Sequence, residues 1–216
     1  MPIIGDGMHL KRIEVENFKS FGGEMVIPFD EGFTAITGPN GSGKSNSGDA
    51  IQFVLGPKST KALRASNVSE LIFNGGGRGK AAKHMSVTLV FANVPEHDGR
   101  RRLRIDDDEV SFTRSVRLNR KGEPISSFRI GEKPSTATEM RRVLAEAGLR
   151  GDGYNIVLQG DVTNLATMTP HKRRGVLEEV AGVTAYDDEI RRANTQRKHV
   201  CLLYTSPSPR DQIQSR

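Results

Sequence analysis

The stretch Gly38-Pro39-Asn40-Gly41-Ser42-Gly43-Lys44-Ser45 decides the fold, because it has the glycines, lysine and serine of a phosphate-binding loop at every fixed position. Glycines permit positive φ angles and bring backbone N–H groups close to phosphate oxygens. A helix beginning near Lys44 adds the positive end of its dipole. The pattern therefore predicts an ATP site in which Lys44 lies along the β- and γ-phosphates and the Ser45 hydroxyl binds Mg²⁺.

The segments flanking this loop have the expected order of strand, loop and helix. Phe33–Thr37 is short, apolar and β-branched, which predicts a buried strand that ends on Gly38. The segment Lys44–Leu55 predicts a helix that stops at Gly56-Pro57. Its apolar face is expected to consist of Ala50, Ile51, Val54 and Leu55.

Alternating apolar and polar residues predict antiparallel strands elsewhere in the chain. Residues 10–18 and 25–29 are separated by a break at Phe21-Gly22-Gly23 and predict an antiparallel pair. Between about 85 and 130, three strand-like runs predict an antiparallel meander; they are MSVTLVF, DEVSFTRSV and ISSFRI.

The later segments predict helices with recognisable ends. Thr136, with Glu139 three residues on, is typical of a capping box, and this helix should close near Gly148. Thr169-Pro170 predicts a second start, with helical patterning that continues to Val200 and is interrupted at Gly182. Between these helices, residues 156–158 predict a strand that runs into Gln159.

Composition favours a cytoplasmic protein without membrane segments. The 216 residues are 35% hydrophobic and 27% charged, and no apolar run approaches the roughly 20 residues of a membrane helix. No signal-peptide pattern opens the chain. The net charge of +6 suits a polyanionic partner but does not identify one. Cys201 is the one cysteine, which excludes an internal disulfide and a cysteine-based metal cluster within this sequence.

Both ends of the sequence are expected to include residues foreign to the native protein. Residues 201–216 begin CLLYTSPSPRD, which resembles a translated transposase sequencing adapter, so native coding is expected to end near Val200. The alternative is a natural Ser/Pro-rich tail. Residues 1–7 form a possible non-native leader before a start at Met8.

Hydrolysis of ATP needs more than this loop provides. P-loop enzymes usually place a second acidic magnesium ligand at the end of an apolar strand. Residues 103–106 are too polar for such a strand, and residues 176–179 lie in a helical pattern. The chain is therefore expected to lack the groups that complete the reaction.

Several ordered motifs between Lys11 and Asp188 resemble the N-terminal half of the ATPase head of structural maintenance of chromosomes (SMC) proteins, within the RecF/RecN/SMC-type ABC ATPases. The resemblance is to prokaryotic, archaeal-like members. The motifs are NFKSFG (17–22), FTAITGPNGSGKSNSGDAIQFVLG (33–56), ALRASNVSELIFNG (62–75), DGYNIVLQGDV (152–162) and MTPHKRRGVLEEVAGVTAYDDEI (168–190).

The resemblance implies roles for further residues. Gln159 is similar to the glutamine whose amide oxygen helps bind Mg²⁺ and senses the γ-phosphate. Arg64 matches an arginine that couples nucleotide and DNA to head engagement. Asn40 and Asn46 match the loop pattern, as does Asp49, which can alternatively cap or orient the helix. The implied ATP-binding set is Gly38, Pro39, Asn40, Gly41, Ser42, Gly43, Lys44, Ser45, Asn46 and Gln159, while Ser47 departs from the apolar residue expected there.

The fold class implied is an α/β P-loop NTPase half-head, with an antiparallel β-subdomain and a helical segment leading into a coiled coil. Residues 8–182 would form this lobe, with a neck helix at 170–181, and residues 183–200 would start the coiled coil, for which the alternative is a short surface helix. The second acidic site, catalytic Glu and signature motif would lie in a C-terminal lobe beyond this sequence.

The implied intact protein closes ATP between two heads of a homodimer and promotes chromosome condensation and segregation at the nucleoid. Its partners would be the C-terminal lobe, a second head, double-stranded DNA and kleisin-type accessory subunits, and no membrane. Two basic clusters, residues 100–102 and the set Arg117, Arg120 and Lys121, could contact DNA phosphates or simply be solvated.

Three alternatives remain at the level of sequence. A DNA-repair ATPase of the zinc-hook or RecN type shares the phosphate loop, but residues 63–75 and 177–187 favour the SMC type. A small nucleotide kinase or GTPase predicts a lid or guanine-specificity motif, which the sequence lacks. A catalytically silent interaction fragment is close to what we expect of the isolated chain.

Overall fold

The computed structural model describes residues 8–56, 60–77, 79–149, 167–180 and 184–205. Two compact units divide the chain at residue 156, and each is described by itself. The described residues of the first unit form an antiparallel sheet, the phosphate loop and two α-helices. Those of the second unit form two further helices.

One six-stranded antiparallel sheet dominates the first unit, in the order β2-β1-β3-β4-β5-β6. The strands are β1 (Leu10–Phe18), β2 (Phe21–Pro28), β3 (His84–Ala92), β4 (Glu109–Leu118), β5 (Pro124–Ile130) and β6 (Lys133–Ser135). The predicted pair and the predicted meander are both confirmed. The predicted break at Phe21-Gly22-Gly23 is wrong, because β2 already begins at Phe21 and the turn lies at Lys19 and Ser20. They join in a single sheet because β1 also pairs with β3, which the sequence did not predict.

The core lies on one face of this sheet. Ile13 and Val15 alternate inward along β1 and stand opposite Leu89 and Val87 of β3. All four side chains are buried, as the period of two requires. Burial of these branched side chains contributes about 1.5–3 kcal/mol each before the entropic cost of ordering them.

Helix α1 (Lys44–Leu55) packs against this core and begins at the phosphate loop, as predicted. It ends before Gly56, whose N–H donates to the carbonyl oxygen of Gln52 at 3.1 Å. Of the predicted apolar face, Ala50, Val54 and Leu55 are buried, whereas Ile51 is only partly buried. Phe53, which was not predicted, is fully buried against Phe18, with ring centroids 5.5 Å apart. Ser47, the residue that departs from the family pattern, is buried as well.

The predicted strand at Phe33–Thr37 is wrong. Residues 33–39 adopt no regular secondary structure, and Phe33 is 95% exposed. A strand requires a neighbour to satisfy its backbone N–H and C=O groups. Among the described residues, β1–β6 pair with one another, Phe18 makes an isolated bridge with Ile72, and no strand pairs with residues 33–37.

Helix α2 (Ala137–Glu146) confirms the predicted start at Thr136. The Thr136 hydroxyl oxygen accepts a hydrogen bond from the Glu139 N–H at 3.1 Å. The Glu139 carboxylate pairs instead with Arg142, which lowers the pKa of Glu139 through that hydrogen bond. Only the threonine half of the predicted capping box is therefore observed.

The second unit contains α3 (Pro170–Val180) and α4 (Thr184–Thr205). The predicted start at Thr169-Pro170 is confirmed, and the Arg173 N–H donates to the Thr169 carbonyl oxygen at 3.0 Å. Helix α4 extends past Val200. The predicted interruption at Gly182 and the predicted strand at 156–158 lie outside the described residues. None of the described helices has the length and apolar character needed to cross a bilayer.

Candidate nucleotide-binding site

The phosphate loop runs over residues 38–45 and ends in the first turn of α1. Gly41 and Gly43 have φ angles of 81° and 92°, which glycine adopts without the strain of a Cβ atom. Gly43 caps the helix and has no side chain to offer the first-turn N–H groups. The first turn of α1 also lacks acidic residues. This helix end therefore favours an anion.

Lys44 folds back over its own loop. Its Nζ donates to the carbonyl oxygens of Gly38 and Pro39 at 2.5 and 2.6 Å. These contacts hold the ammonium group inside the loop, where the sequence predicted a cation beside phosphate. Gly38 and Pro39 thus contribute to the site through their backbone carbonyls.

An open cavity of about 340 Å³ collects most of the predicted binding residues. It is lined by Ser20, Asn40, Gly41, Ser42, Gly43, Lys44, Ser45, Asn46 and Arg64. Asn46 is fixed by its Nδ2, which donates to the Ser20 hydroxyl oxygen at 2.7 Å. Ser20, which follows Lys19 in the turn between β1 and β2, was not predicted as a site residue, although it lies in the NFKSFG motif.

Arg64 reaches this cavity from a separate segment. It directly follows a 3₁₀ helix at Thr60–Leu63 and has a φ of 55°. Its guanidinium pairs with the carboxylate of Asp49, in the second turn of α1. Lys19 pairs with the same carboxylate oxygen. The structure thus places Arg64, which the resemblance singled out, beside the nucleotide loop and in a three-residue cluster that the sequence did not show.

The far end of α1 contacts a partly buried cation, Arg114. Arg114 of β4 donates from a terminal guanidinium nitrogen to the Phe53 carbonyl oxygen at 2.8 Å. Its guanidinium carbon lies 4.2 Å from the Phe53 ring centroid and 5.4 Å from that of Phe128. Burial, together with the nearby charge of Arg141, lowers the pKa of Arg114. A cation at a helix C-terminus interacts favourably with the dipole.

The remaining predicted site residues are not all brought together. Gln159, the predicted Mg²⁺ ligand, lies outside the described residues. Residues 103–106 form bends, and residues 176–179 lie in α3, which agrees with the expectation that neither is an acidic strand.

The two basic clusters differ in their contacts. Arg101 pairs with Asp106 and Asp108, and Arg102 pairs with Glu96. Arg100 also pairs with Asp98. In contrast, Arg117, Arg120 and Lys121 are exposed, and none of them forms an ion pair with an acidic side chain of the described residues.

A larger cavity of about 960 Å³ lies between β4, β5, β6 and α2. Its lining includes both acidic and basic side chains, among them Glu109, Glu139 and Arg142. Glu139 and Arg142 already pair with each other. No residue of the phosphate loop lines this cavity, so the smaller cavity at the loop is the stronger candidate for a nucleotide site.

The loop, the helix that follows it and the antiparallel sheet define a class of protein, the P-loop ATPase heads of the ABC type. The family model described as "RecF/RecN/SMC N terminal domain" matches residues 9–153. The chain belongs to this family. The chromosome partition protein Smc of Pyrococcus furiosus is 42% identical over 191 residues, which cover 88% of this chain and 16% of that protein.

Solved SMC heads have the same fold. The Pyrococcus furiosus Smc head domain with an extended coiled coil, bound to the C-terminal domain of ScpA, is 42% identical, with a TM-score of 0.75. The match covers 89% of this chain and 46% of that one. A second solved chain comes from work on ATP-driven dimerization and DNA-stimulated activation of SMC ATPases. It is 44% identical to this chain, with a TM-score of 0.69. That match covers 80% of this chain and 99% of the other.

These matches assign the chain to the N-terminal portion of an SMC head. Because it spans about 16% of the length of its curated Smc relative, the activity and partners of a whole SMC protein do not transfer to it directly. The RecF/RecN/SMC family and the P-loop ATPase fold predicted from the motifs are confirmed.

Proposed function

We propose that this chain is the ATP-binding N-terminal half of an SMC-type ATPase head that acts in chromosome condensation and segregation. The observation that carries the proposal is the cavity at the start of α1, where the phosphate loop and Arg64 line one space. Backbone N–H groups, a helix N-terminus and two cations are the features that recognise a nucleotide polyphosphate.

The residues present fit MgATP. The positive φ angles at Gly41 and Gly43 give the loop the curvature of a phosphate cradle. Lys44 is the cation for the β- and γ-phosphates, and Ser45 would hold Mg²⁺ together with Gln159. When bound, Mg²⁺ neutralises phosphate charge.

We further propose that the catalytic site is composite. Phe33 and Ile36, just before the loop, are exposed apolar residues in a segment that pairs with none of the described strands. A C-terminal lobe outside this sequence would cover this segment and supply the second acidic site. A second head would complete the site across a dimer interface. The chain alone should therefore bind ATP but hydrolyse it negligibly.

A solved relative and the surface charge indicate two kinds of partner. The Pyrococcus furiosus head binds the C-terminal domain of ScpA, which supports a kleisin-type subunit as a partner here. Double-stranded DNA would contact the exposed cluster Arg117, Arg120 and Lys121, rather than Arg101 and Arg102, whose charges are already paired.

Duplex binding at several salt concentrations tests the DNA contact. Replacing Arg117, Arg120 and Lys121 by alanine should weaken binding and reduce its salt dependence, because fewer counterions are released. Arg100→Ala is the control, since it removes one exposed arginine of the other cluster. Equal losses in the two variants would argue against this assignment.

Nucleotide titration of the full chain with Lys44→Ala tests the ATP site. The wild-type chain should bind ATP weakly, and this binding should require Mg²⁺. The variant should lose binding because the cation facing the β- and γ-phosphates is gone. Lys133→Ala, which removes an exposed lysine on β6, is the matched control and should bind like the wild type. Unchanged affinity in Lys44→Ala would contradict the assignment.

The same preparation separates a half-site from a complete enzyme. Steady-state phosphate release should remain at background for the purified chain. Robust turnover would overturn the composite site and favour the alternative of a small nucleotide kinase or GTPase, which predicts activity from the isolated chain.

A further inference from the structure

The carboxylate of Asp49 is the centre of a charge cluster beside the phosphate loop. It is only 5% exposed, and a single oxygen accepts from both Lys19 and Arg64. Lys19 is largely buried and donates in addition to the Leu63 carbonyl oxygen at 2.6 Å. The cluster thereby joins the turn after β1, the helix α1 and the backbone just before Arg64.

The backbone at both cations is held in an uncommon conformation. Lys19 and Arg64 have φ angles of 52° and 55°, in the left-handed region. For residues with a side chain, this conformation costs on the order of 1–3 kcal/mol and persists only where surrounding contacts impose it. Here the contacts include the Lys19 N–H, which donates to the Leu71 carbonyl oxygen at 2.7 Å. The two side chains that pair with Asp49 therefore both extend from residues with a strained backbone conformation.

The Arg64 side chain pairs with Asp49 and is also exposed to the cavity of the phosphate loop. Its side chain is 53% exposed although it pairs with a buried carboxylate, and it lines the cavity of the phosphate loop. A guanidinium has five N–H donors in a planar fork, so one carboxylate oxygen leaves donors for another acceptor. An anion on the loop is such an acceptor.

We propose that Asp49 is a positioning residue that aims Arg64 at the polyphosphate of the bound nucleotide; this proposal rests on the proposed ATP-binding function. Lys19 binds the Asp49 carboxylate and the Leu63 carbonyl, so that Arg64, directly after the 3₁₀ helix, is held in a fixed direction. Asp49 itself does not contact the nucleotide, and it acts through Arg64.

Simple electrostatics gives the opposite expectation, which makes the proposal testable. Removing a negative charge beside the loop raises the local positive potential and should strengthen ATP binding. If Asp49 positions Arg64, the Asp49→Asn variant should weaken MgATP binding about fivefold, on the scale of one ordinary hydrogen bond. The sign of the change therefore distinguishes the two effects.

A double-mutant cycle in the full chain isolates the coupling between the two residues. MgATP titrations would compare the wild type with Asp49→Asn, Arg64→Ala and the double variant. Asp49→Asn should have less than about a twofold effect when Arg64 is already absent. Tighter binding by Asp49→Asn, or an equal loss in both backgrounds, would overturn the proposal.

A second measurement needs no nucleotide. Phenylglyoxal modifies accessible arginine side chains, and peptide mass spectrometry reads its rate at each site. Arg64 should react several times faster in Asp49→Asn than in the wild type, while Arg100, which is 88% exposed, serves as the internal reference. An unchanged rate at Arg64 would overturn the proposal.

The controls separate loss of folding and loss of ATP binding from loss of positioning. Removing the buried carboxylate leaves Lys19 uncompensated, so Lys19→Met/Asp49→Asn removes both charges together and should show the same rise in Arg64 labelling. If the wild-type chain bound no ATP, the proposed function would fail, and the labelling comparison would still decide whether Asp49 holds Arg64.

Discussion

Alanine at Gly43 should disturb the phosphate loop through one identifiable contact. A Cβ atom at this position would lie 2.8 Å from Cε1 and 3.1 Å from Cζ of the Phe21 ring. Phe21 is a buried member of the core at the start of β2, so its ring cannot turn freely into solvent. The φ of 92° at Gly43 adds backbone strain to this clash.

Gly41 provides a matched comparison within the same loop. Its φ is 81°, but a Cβ atom there would meet nothing within 4 Å. Left-handed backbone costs alanine about 1–2 kcal/mol at either position. Both substitutions also restrict the unfolded chain, which offsets about 0.4–1 kcal/mol of that cost. Displacing a packed ring adds about 1–3 kcal/mol at Gly43 alone.

Gly43→Ala should therefore destabilise the chain by about 1–3 kcal/mol more than Gly41→Ala. Urea unfolding followed by circular dichroism measures this difference, and ATP titration of the two variants reports on the loop itself. Gly43→Ala should bind ATP more weakly, because relief of the clash moves the helix start or the ring beside it. Equal free energies of unfolding for the two variants would refute the steric argument.

Two other positions give independent tests of the first unit. Asn93 is fully buried, donates to three backbone carbonyl oxygens and accepts a hydrogen bond from the Leu103 N–H. Asn93→Ala should therefore lower the free energy of unfolding in urea by about 2–4 kcal/mol. A decrease below about 1 kcal/mol would contradict this role. Hydrogen bonds from Lys11 and Arg12 lower the pKa of Glu109 from its ordinary 4.5. The Glu109 carboxylate contributes at most about 1 kcal/mol to the free energy of unfolding. This contribution is fully present above pH 4.5 and is lost as the pH falls through the lower pKa of the folded state. The difference in unfolding free energy between wild type and Glu109→Gln should therefore shrink on acidification, and a constant difference would exclude the ion pairs as its cause.

Local signals in the sequence predicted the parts of the fold that local physics determines. The glycine pattern of the loop fixed the start of α1, and Gly56 fixed its end. The hydroxyl of Thr136 marked the start of α2 in the same way. Each of these features depends on residues within one or two helical turns, which one sequence shows directly.

Contacts between residues far apart in the chain were not predicted, because a local pattern does not identify the distant residue it packs against. The pairing of β1 with β3 joins residues 70 to 81 positions apart in the chain, and alternation alone does not identify a partner strand. Phe33 reads as a buried strand residue, but its exposure depends on which neighbouring strands the chain contains. Arg114 and Asp49 carry charges that composition assigns to the surface, and only the packing around α1 reveals Asp49 as buried and Arg114 as partly buried.

The backward fold of Lys44 onto the Gly38 and Pro39 carbonyls makes ligand binding an exchange reaction. An entering anion must compete for an ammonium group whose hydrogen bonds are already made. A single phosphate ion offers few new contacts in return, whereas a chain of phosphates can engage the helix end, the ammonium and the guanidinium at once. The resting loop should therefore select ligands by the length of their phosphate chain, before any recognition of the base.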